Sequence, residues 1–393
     1  MNAKRPLLTA VENYRLQHVY PLHTPGHKGG RGADPALRHL VGDVALASDV
    51  SLMAELDDIH HPEGCIRETE ELAARLYGAD RCFLGVNGTT GVIHGMLLGA
   101  LKPGDKILIP RNSHRSVLGA LVLGGFHPVY VQPAYDPQWR LTLQVTPEQV
   151  AEALEKDPSI RSVFLTTPNY FGLAAETRKI ADIAHAHGAL LLVDEAHGAH
   201  YLPFAARYGW RGGAVAAGAD LVVQSAHKTL PSLTQTAFLQ LNGDLADPAG
   251  VESQLDVFET SSPSYPLMVS LDGCTRWLAD EGEAAFAAWR ARLDAFDAAV
   301  RDLKNTKILC CGADALTTHP DFFAYDSGKI LLQIGAAGAA YLRADGFEPE
   351  MVCGPNVLAM TSPCDDADAL ERLADVLHAW DKTAAPPAAP RHI

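Results

Sequence analysis

No window of this 393-residue sequence is long and apolar enough to cross a bilayer. Its first residues, MNAKRPLLTAVENYRLQHVYP, lack the continuous apolar stretch of a signal peptide. Both absences lead to the expectation of a cytoplasmic protein. Cysteine is scarce: Cys65, Cys82, Cys274, Cys310, Cys311, Cys353 and Cys364 are odd in number, with no CxxC pair and no regular spacing. That pattern speaks against a disulfide scaffold and fits reduced thiols. Basic residues are in deficit, with 32 Lys and Arg against 47 Asp and Glu and a formal net charge of −15. Nucleic acids and anionic membranes are bound through clustered Lys and Arg, so neither is expected as a partner. A GxxxxGK[ST] run is missing, and so is a GxGxxG after the first strand, which weakens a nucleotide-binding reading. There is no internal repeat.

What is present reads as an ordinary globular chain, 47% hydrophobic and 20% charged, long enough for two packed domains. Between about residues 80 and 242, short apolar runs alternate with helical segments. The runs 81–87, 106–111, 128–133, 162–168, 189–196, 221–227 and 236–242 predict buried strands. The segments between them have helical spacing and end signals, such as Thr146 with Glu148 nearby and Gly188. Alternation of this kind predicts an α/β fold with a mostly parallel central sheet and helices on both faces. Ligands of such sheets collect outside the carboxyl ends of the strands. A long helical stretch over 266–303 follows, then a small α/β region over about 304–380 ending in the helix ADALERLADVLHAW. The Pro/Ala-rich tail is expected to be disordered.

Several chemically capable residues lie just past predicted strand ends. Lys228, in VVQSAHKTLPSLTQ, would alone be a solvated lysine, but Ser225, His227 and Thr229 put donors beside it. A desolvated lysine near other cations has a depressed pKa and attacks aldehydes. Asp194, in LLLVDEAHGAH, is either structural or a partner for a protonated ring nitrogen. With Glu195, His197 and His200 it also hints at a metal. On a strand–turn those side chains diverge, and no second ligand cluster appears, so no metal is expected. NGTTG (87–91) is either an ordinary capped turn or an anion cradle at a helix N-terminus. His114, in PRNSHRS, is either a loop histidine or a ring that stacks on an aromatic cofactor.

Taken in order, PLHTPGHKGG (21–30), DVSLMAELDDIHHPEGCI (49–66), GVNGTTG (85–91), RNSHRS (111–116), TTPNYFG (166–172), VDEAHGAH (193–200), SAHKTLPSLTQ (225–235) and SSPSYPLMVSLD (261–272) resemble the ornithine/lysine/arginine decarboxylase family. That family has the aspartate-aminotransferase fold (fold type I) and uses pyridoxal 5′-phosphate (PLP). The resemblance implies that Lys228 carries PLP as a Schiff base and that Asp194 keeps its ring nitrogen protonated. His114 and Ala196 would cover the two ring faces. Gly88, Thr89, Ser225 and His227 would bind the phosphate, with His197 near the phenolic oxygen or the substrate carboxylate. Two positions depart from the family pattern: Ala226 replaces a threonine, and Ser113 a cysteine. The chain is also a short form, without the longer C-terminal domain of larger members. The expected division is an N-terminal arm (1–45), a large PLP-binding domain (46–272), a linking helix with the small C-terminal domain (273–383), and the tail (384–393).

The family further implies α-decarboxylation of arginine, lysine or ornithine with release of CO2, feeding polyamine synthesis, with a lean to arginine and agmatine. A carboxylate is expected to meet the substrate's distal cation, because an unpaired buried cation is costly. Glu350 and the acidic motif around Asp57 are the candidates. A homodimer is implied, with the active site at the interface and Ser262 and Ser264 reaching the partner. The alternatives are another fold type I reaction, aminotransfer or aldol/β-elimination chemistry, and a PLP-binding scaffold without activity. An aminotransferase calls for an arginine to grip the substrate carboxylate, and Arg343 is the nearest guess.

Overall fold

The computed structural model describes residues 5–309, 317 and 319–383. Cys310, Cys311 and the expected tail fall outside the described residues. The centre is a seven-stranded sheet in the order Arg81–Gly85, Ala237–Leu241, Leu221–Gln224, Leu190–Asp194, Ile160–Thr166, Lys106–Pro110 and His127–Val131. Each strand falls within one of the seven apolar runs or overlaps it.

Side chains alternate across this sheet, and both faces are buried. Phe83, Ile107, Ile109, Phe164, Leu192, Leu221, Val223 and Leu239 meet the helices Gly88–Ala100, Arg115–Gly124 and Pro248–Phe258. Leu84, Leu108, Val163, Leu165, Leu191, Val193, Val222 and Phe238 turn to the other face. There they meet the helices Cys65–Tyr77, Pro147–Lys156, Thr177–Ala186 and Tyr265–Asp280. Two-sided burial of this kind explains why the strands read as continuous apolar runs. The pairing of Gly88–Ala100 with Pro248–Phe258 is close because Gly99 has no side chain. A Cβ there would sit 2.6 Å from the Cα of Val251.

Ala237–Leu241 is the one reversed strand, antiparallel to both neighbours. A parallel return needs a crossover of a dozen or more residues, usually helical. The connection 225–236 holds only the one-turn helix Ala226–Thr229. The stretch 266–303 is two helices, not one: Tyr265–Asp280 and Gly282–Ala299 meet at Glu281, which leaves helical geometry (φ −120°, ψ −13°). Gly282 is tight against Phe204, whose ring would lie 3.2 Å from a Cβ. The break lets Trp289 stack on Trp210 at 4.2 Å between ring centroids, with Phe286 edge-on to both.

Beyond these helices, Lys307–Leu309, Lys329–Gln333, Asn356–Met360 and Met351–Cys353 form an antiparallel four-stranded sheet. The helices Gly335–Ala344 and Ala369–Thr383 cover it. Its buried Ile330, Leu332 and Val357 are continuous with the core of the large sheet. Among the described residues no helix is long and apolar enough to cross a membrane. The five described cysteines are free thiols.

Asp57 has a different job from binding a substrate cation. Its carboxylate accepts from the backbone N–H groups of Asp58 and Glu63 (3.0 Å each) and of Gly64 and Ile66 (2.9 Å each), closing the loop onto the start of Cys65–Tyr77. Burial opposes its ionisation, but these donors outweigh it and hold the pKa below the usual carboxylate value. Tyr265 Oη donates to the Asp57 carbonyl at 2.9 Å, tying the same loop to Tyr265–Asp280. Asp57→Ala strands several N–H groups at once and is expected to cost about 2–4 kcal/mol. A urea midpoint indistinguishable from wild type would show that the loop does not depend on this carboxylate.

Candidate active site

Two neighbouring parallel strands end side by side and carry the central residues. Leu190–Asp194 ends in Asp194 and runs into a turn bearing Glu195, Ala196 and His197. Leu221–Gln224 runs through Ser225 into the single turn Ala226–Thr229, which presents Lys228. Glu195 N–H donates to the Val223 carbonyl at 2.8 Å, locking the two ends together. Lys228 Nζ lies 3.1 Å from His197 Nε2, and the other face of that imidazole meets Lys329 Nζ, 2.8 Å from Nδ1. Tyr170 abuts the His197 ring edge-on at 4.8 Å, and its hydroxyl donates to Glu350 at 2.5 Å.

Burial lowers the pKa of Lys228 below the ordinary lysine value, against the opposing charges of Asp194 and Glu350. His197 is held well below 6.5, first by burial and then by the positive charges of Lys329, Lys228, His114 and His200. His114 and His227 are also lowered by burial, with Lys228 adding to both. The site therefore holds neutral imidazoles and an amine biased toward its nucleophilic form. Asp194 is buried, and its carboxylate accepts the Ala196 N–H at 3.0 Å. Burial raises its pKa, while Lys228 and His114 favour the anion. A carboxylate in that setting gains from a further cation, such as a protonated pyridine nitrogen.

The remaining expected residues fit a phosphate-bearing ring. Gly88, at φ +69°, opens the helix Gly88–Ala100, and no side chain caps that end. The Asn87 amide, which would be the cap, donates instead to the Phe258 carbonyl at 2.8 Å. First-turn N–H groups at Thr89 and beyond are thus left for an anion. Gly88 N–H donates to the Gln235 carbonyl (2.9 Å), and His227 Nδ1 lies 3.1 Å from the next carbonyl, that of Thr236. The helix end and the Ser225–His227 turn therefore converge on one short segment. Ser225 is buried with its hydroxyl 3.4 Å from His227 Nδ1, and the buried Thr229 hydroxyl has no protein partner. His114 caps Arg115–Gly124 and holds Ser116 Oγ at 2.8 Å, its ring toward the charges of Asp194 and Lys228. These groups fit PLP: an amine, a buried carboxylate and an anion cradle, with the His114 imidazole close enough to feel the charges of Asp194 and Lys228.

Other expectations fare differently. Arg343 pairs with Glu348 at 2.8 Å on the exposed end of Gly335–Ala344, away from this cluster. Glu350 is exposed but reaches the site through Tyr170 and through its charge on Lys228 and Lys329. Ser262 is exposed, and Ser264 begins the helix Tyr265–Asp280. The residue that sequence reasoning missed is Lys329. Its only signal was a charge at the start of the apolar run KILLQ, which reads as an ordinary strand end. Tyr170 lay inside a quoted motif without a role.

Glu195 turns away from the amine and accepts from Ala214 N–H (2.8 Å) and Gln224 Nε2 (2.7 Å). Burial raises its pKa to about 8.

A description of the major domain of Orn/Lys/Arg decarboxylases matches residues 5–333. An arginine decarboxylase of Bacillus anthracis is 37% identical over 338 residues, covering 85% of this chain and 66% of that protein. An arginine decarboxylase of Bacillus subtilis (strain 168) is 33% identical over 384 residues, covering 95% of this chain and 76% of that protein. The solved constitutive lysine decarboxylase of E. coli superposes with a TM-score of 0.81 at 21% identity, over 96% of this chain and 61% of that one. This chain thus spans between 61% and 76% of the length of these relatives. The fold is the fold type I architecture of PLP-dependent enzymes.

The Glu195 carboxyl has a raised folded-state pKa, so the stability it contributes is complete below its unfolded value and is lost as pH rises toward 8. Glu195→Gln removes that dependence. Relative to the variant, wild type is expected to lose up to about 1.4 kcal/mol per pH unit between pH about 5 and about 8. Denaturant titrations at both ends of that range check this; parallel pH curves would show that Glu195 stays ionised.

Proposed function

We propose, from the premise that this chain belongs to the Orn/Lys/Arg decarboxylase family, that it removes the α-carboxyl of a basic amino acid as CO2 with the help of PLP. The observation that carries the reading is the meeting of Lys228, an amine of lowered pKa, with buried Asp194 at two adjacent strand ends. When bound, PLP supplies an electron sink for the charge left at Cα.

The chain's own residues then divide the work. Lys228 is the amine that holds the cofactor, and Asp194 keeps a cationic ring nitrogen paired. Gly88, Thr89, Ser225 and His227 hold the phosphate, while His114 and Ala196 border the ring. His197, neutral at ordinary pH, stands against Lys228 Nζ and takes part in proton handling there. Glu350, oriented by Tyr170, meets the distal cation. Arginine, giving agmatine, is the favoured substrate, which the arginine decarboxylase relatives support. The product would feed polyamine synthesis. A cytoplasmic homodimer with its active sites at the interface completes the reading. Apolar side chains left in solvent near the N-terminus, Leu22 (89% exposed) and Leu40 (82% exposed), support a partner covering that region.

The test is an assay of purified, PLP-loaded protein with arginine, lysine and ornithine separately, measuring CO2 and amine together. Stoichiometric CO2 and amine from one substrate, abolished in Lys228→Ala, is the expected result. Cofactor absorbance without CO2 from any of the three would move the reading to acceptor-dependent transamination. Glu350→Gln is expected to raise KM for the basic substrate about tenfold, on the order of 1.4 kcal/mol, with kcat little changed. An unchanged KM would remove Glu350 from the substrate site.

A further inference from the structure

Lys329 is only 1% exposed, although it begins a strand of the small sheet. Its side chain is wedged in place. Gly172 sits at φ +97°, where a Cβ would come within 2.8 Å of Lys329 Cγ, and Tyr325 Oη donates to the Lys329 carbonyl at 2.5 Å. The ammonium ends 2.8 Å from His197 Nδ1, and His197 Nε2 is 3.1 Å from Lys228 Nζ. Three nitrogen-bearing groups therefore stand in a row.

A lysine ammonium is a donor only. At 2.8 Å, His197 Nδ1 must offer it a lone pair, which leaves the single proton of a neutral imidazole on Nε2, facing Lys228. The opposite polarity, with the proton on Nδ1, would need Lys329 to be a neutral amine that accepts from it. Burial pulls the Lys329 pKa down to about 8, with Lys228 adding to this, while the negative charges of Asp326 and Glu350 favour the cation; below that pH the ammonium prevails. Asp326 is itself fixed by Trp210 Nε1 and Gly328 N–H (2.9 Å each) and by His200 Nε2 (3.2 Å).

We propose that Lys329 is a positioning residue that fixes His197 as the neutral Nε2–H tautomer and aims that N–H at Lys228 Nζ. The proposal rests on the reading of Lys228 as the cofactor-bearing amine. The groups facing His197 are Lys329, Lys228, His114 and His200, all able to carry positive charge, and the Tyr170 ring edge. Protonating the imidazole would place it among cations and take away the acceptor that Lys329 needs. A proton given up at Nε2 is replaceable at Nδ1 from the Lys329 ammonium, which becomes an amine. The imidazole emerges as the other tautomer without having become a cation.

The test uses PLP-loaded protein with nitrogen-15 histidine, the His197 signal being assigned by its disappearance in His197→Gln. Wild type is expected to show His197 neutral and Nε2-protonated from pH about 6 to about 7.5, where Lys329 is still an ammonium. Lys329→Met is expected to let Nδ1 compete for the proton and to move the His197 titration upward, toward but short of its ordinary value of about 6.5, because burial and the other cations remain. It should also lower kcat about 10- to 100-fold with little change in KM and add an acidic limb to the kcat–pH profile. Lys329→Arg, which keeps the charge, should recover part of kcat and suppress that limb. A wild-type His197 that is protonated at Nδ1, or that titrates within this range, overturns the proposal, and this holds even if Lys329→Met does not fold. A folded Lys329→Met with the wild-type tautomer and pH profile overturns it as well. Failure to release CO2 alongside the expected wild-type spectrum would count against the decarboxylase reading and leave the tautomer assignment standing.

Discussion

Charge withheld from water at the carboxyl edge of the central sheet governs how the site is put together. Asp194, Glu195, His197, Asp326 and Lys329 are all buried there. An isolated ion in such a place is prohibitively costly, so each group must be neutral, hydrogen-bonded or compensated. The observed arrangement does this by sorting. Glu195 takes a raised pKa and hydrogen bonds to Ala214 and Gln224, Asp326 takes three donors, and His197 stays neutral between two lysines. Asp194 and Lys228 are left with the fewest internal commitments. They are the two groups through which a charged, aldehyde-bearing cofactor would enter the balance.

This sorting draws on both halves of the chain. Asp326, Lys329 and Glu350 come from the C-terminal region, whereas the groups they face lie on the strand ends and turns of the large sheet. The isolated two-stranded pairing of Ala324–Tyr325 with Leu173–Ala174 joins the two parts beside the site. Asp326 N–H donates to the Gly172 carbonyl at 2.7 Å in the same region. Moving the small sheet against the large one would shift Lys329 against His197 and Glu350 against Tyr170. The geometry around Lys228 is therefore coupled to how the two sheets are docked.

Most of the sheet was legible in the sequence because its strands are buried on both faces, and the continuous apolar runs say so directly. The reversal of Ala237–Leu241 was not, since direction depends on whether the connection carries a crossover helix, which 225–236 does not, and not on strand composition. Nor was the break at Glu281: Leu278, Gly282, Phe286 and Trp289 keep helical spacing across it, and the reason to bend lies in Phe204 and Trp210, far away in sequence. In the site, the strand-end positions of Lys228 and Asp194 and the helix-opening NGTTG were visible locally. Asp57 misled because a carboxylate that gathers backbone N–H groups looks, in sequence, like one waiting for a cation. Lys329 escaped notice because a lysine at a strand start is usually solvated. Only the packing of Gly172 and Tyr325 around it makes it internal.

The reversed strand also constrains the order in which the molecule can assemble. Within the large sheet, Arg81–Gly85 is hydrogen-bonded only to Ala237–Leu241. Its partner is therefore made about 150 residues later, after the whole parallel portion of the sheet. Such a non-local pairing closes a long loop and is slow to form. On a growing chain, the first strand and the Asn87–Gly88 turn attached to it must wait while the parallel strands gather. The anion cradle is thus among the last parts of the site to take shape, and a chain halted before residue 237 would have no means of building it.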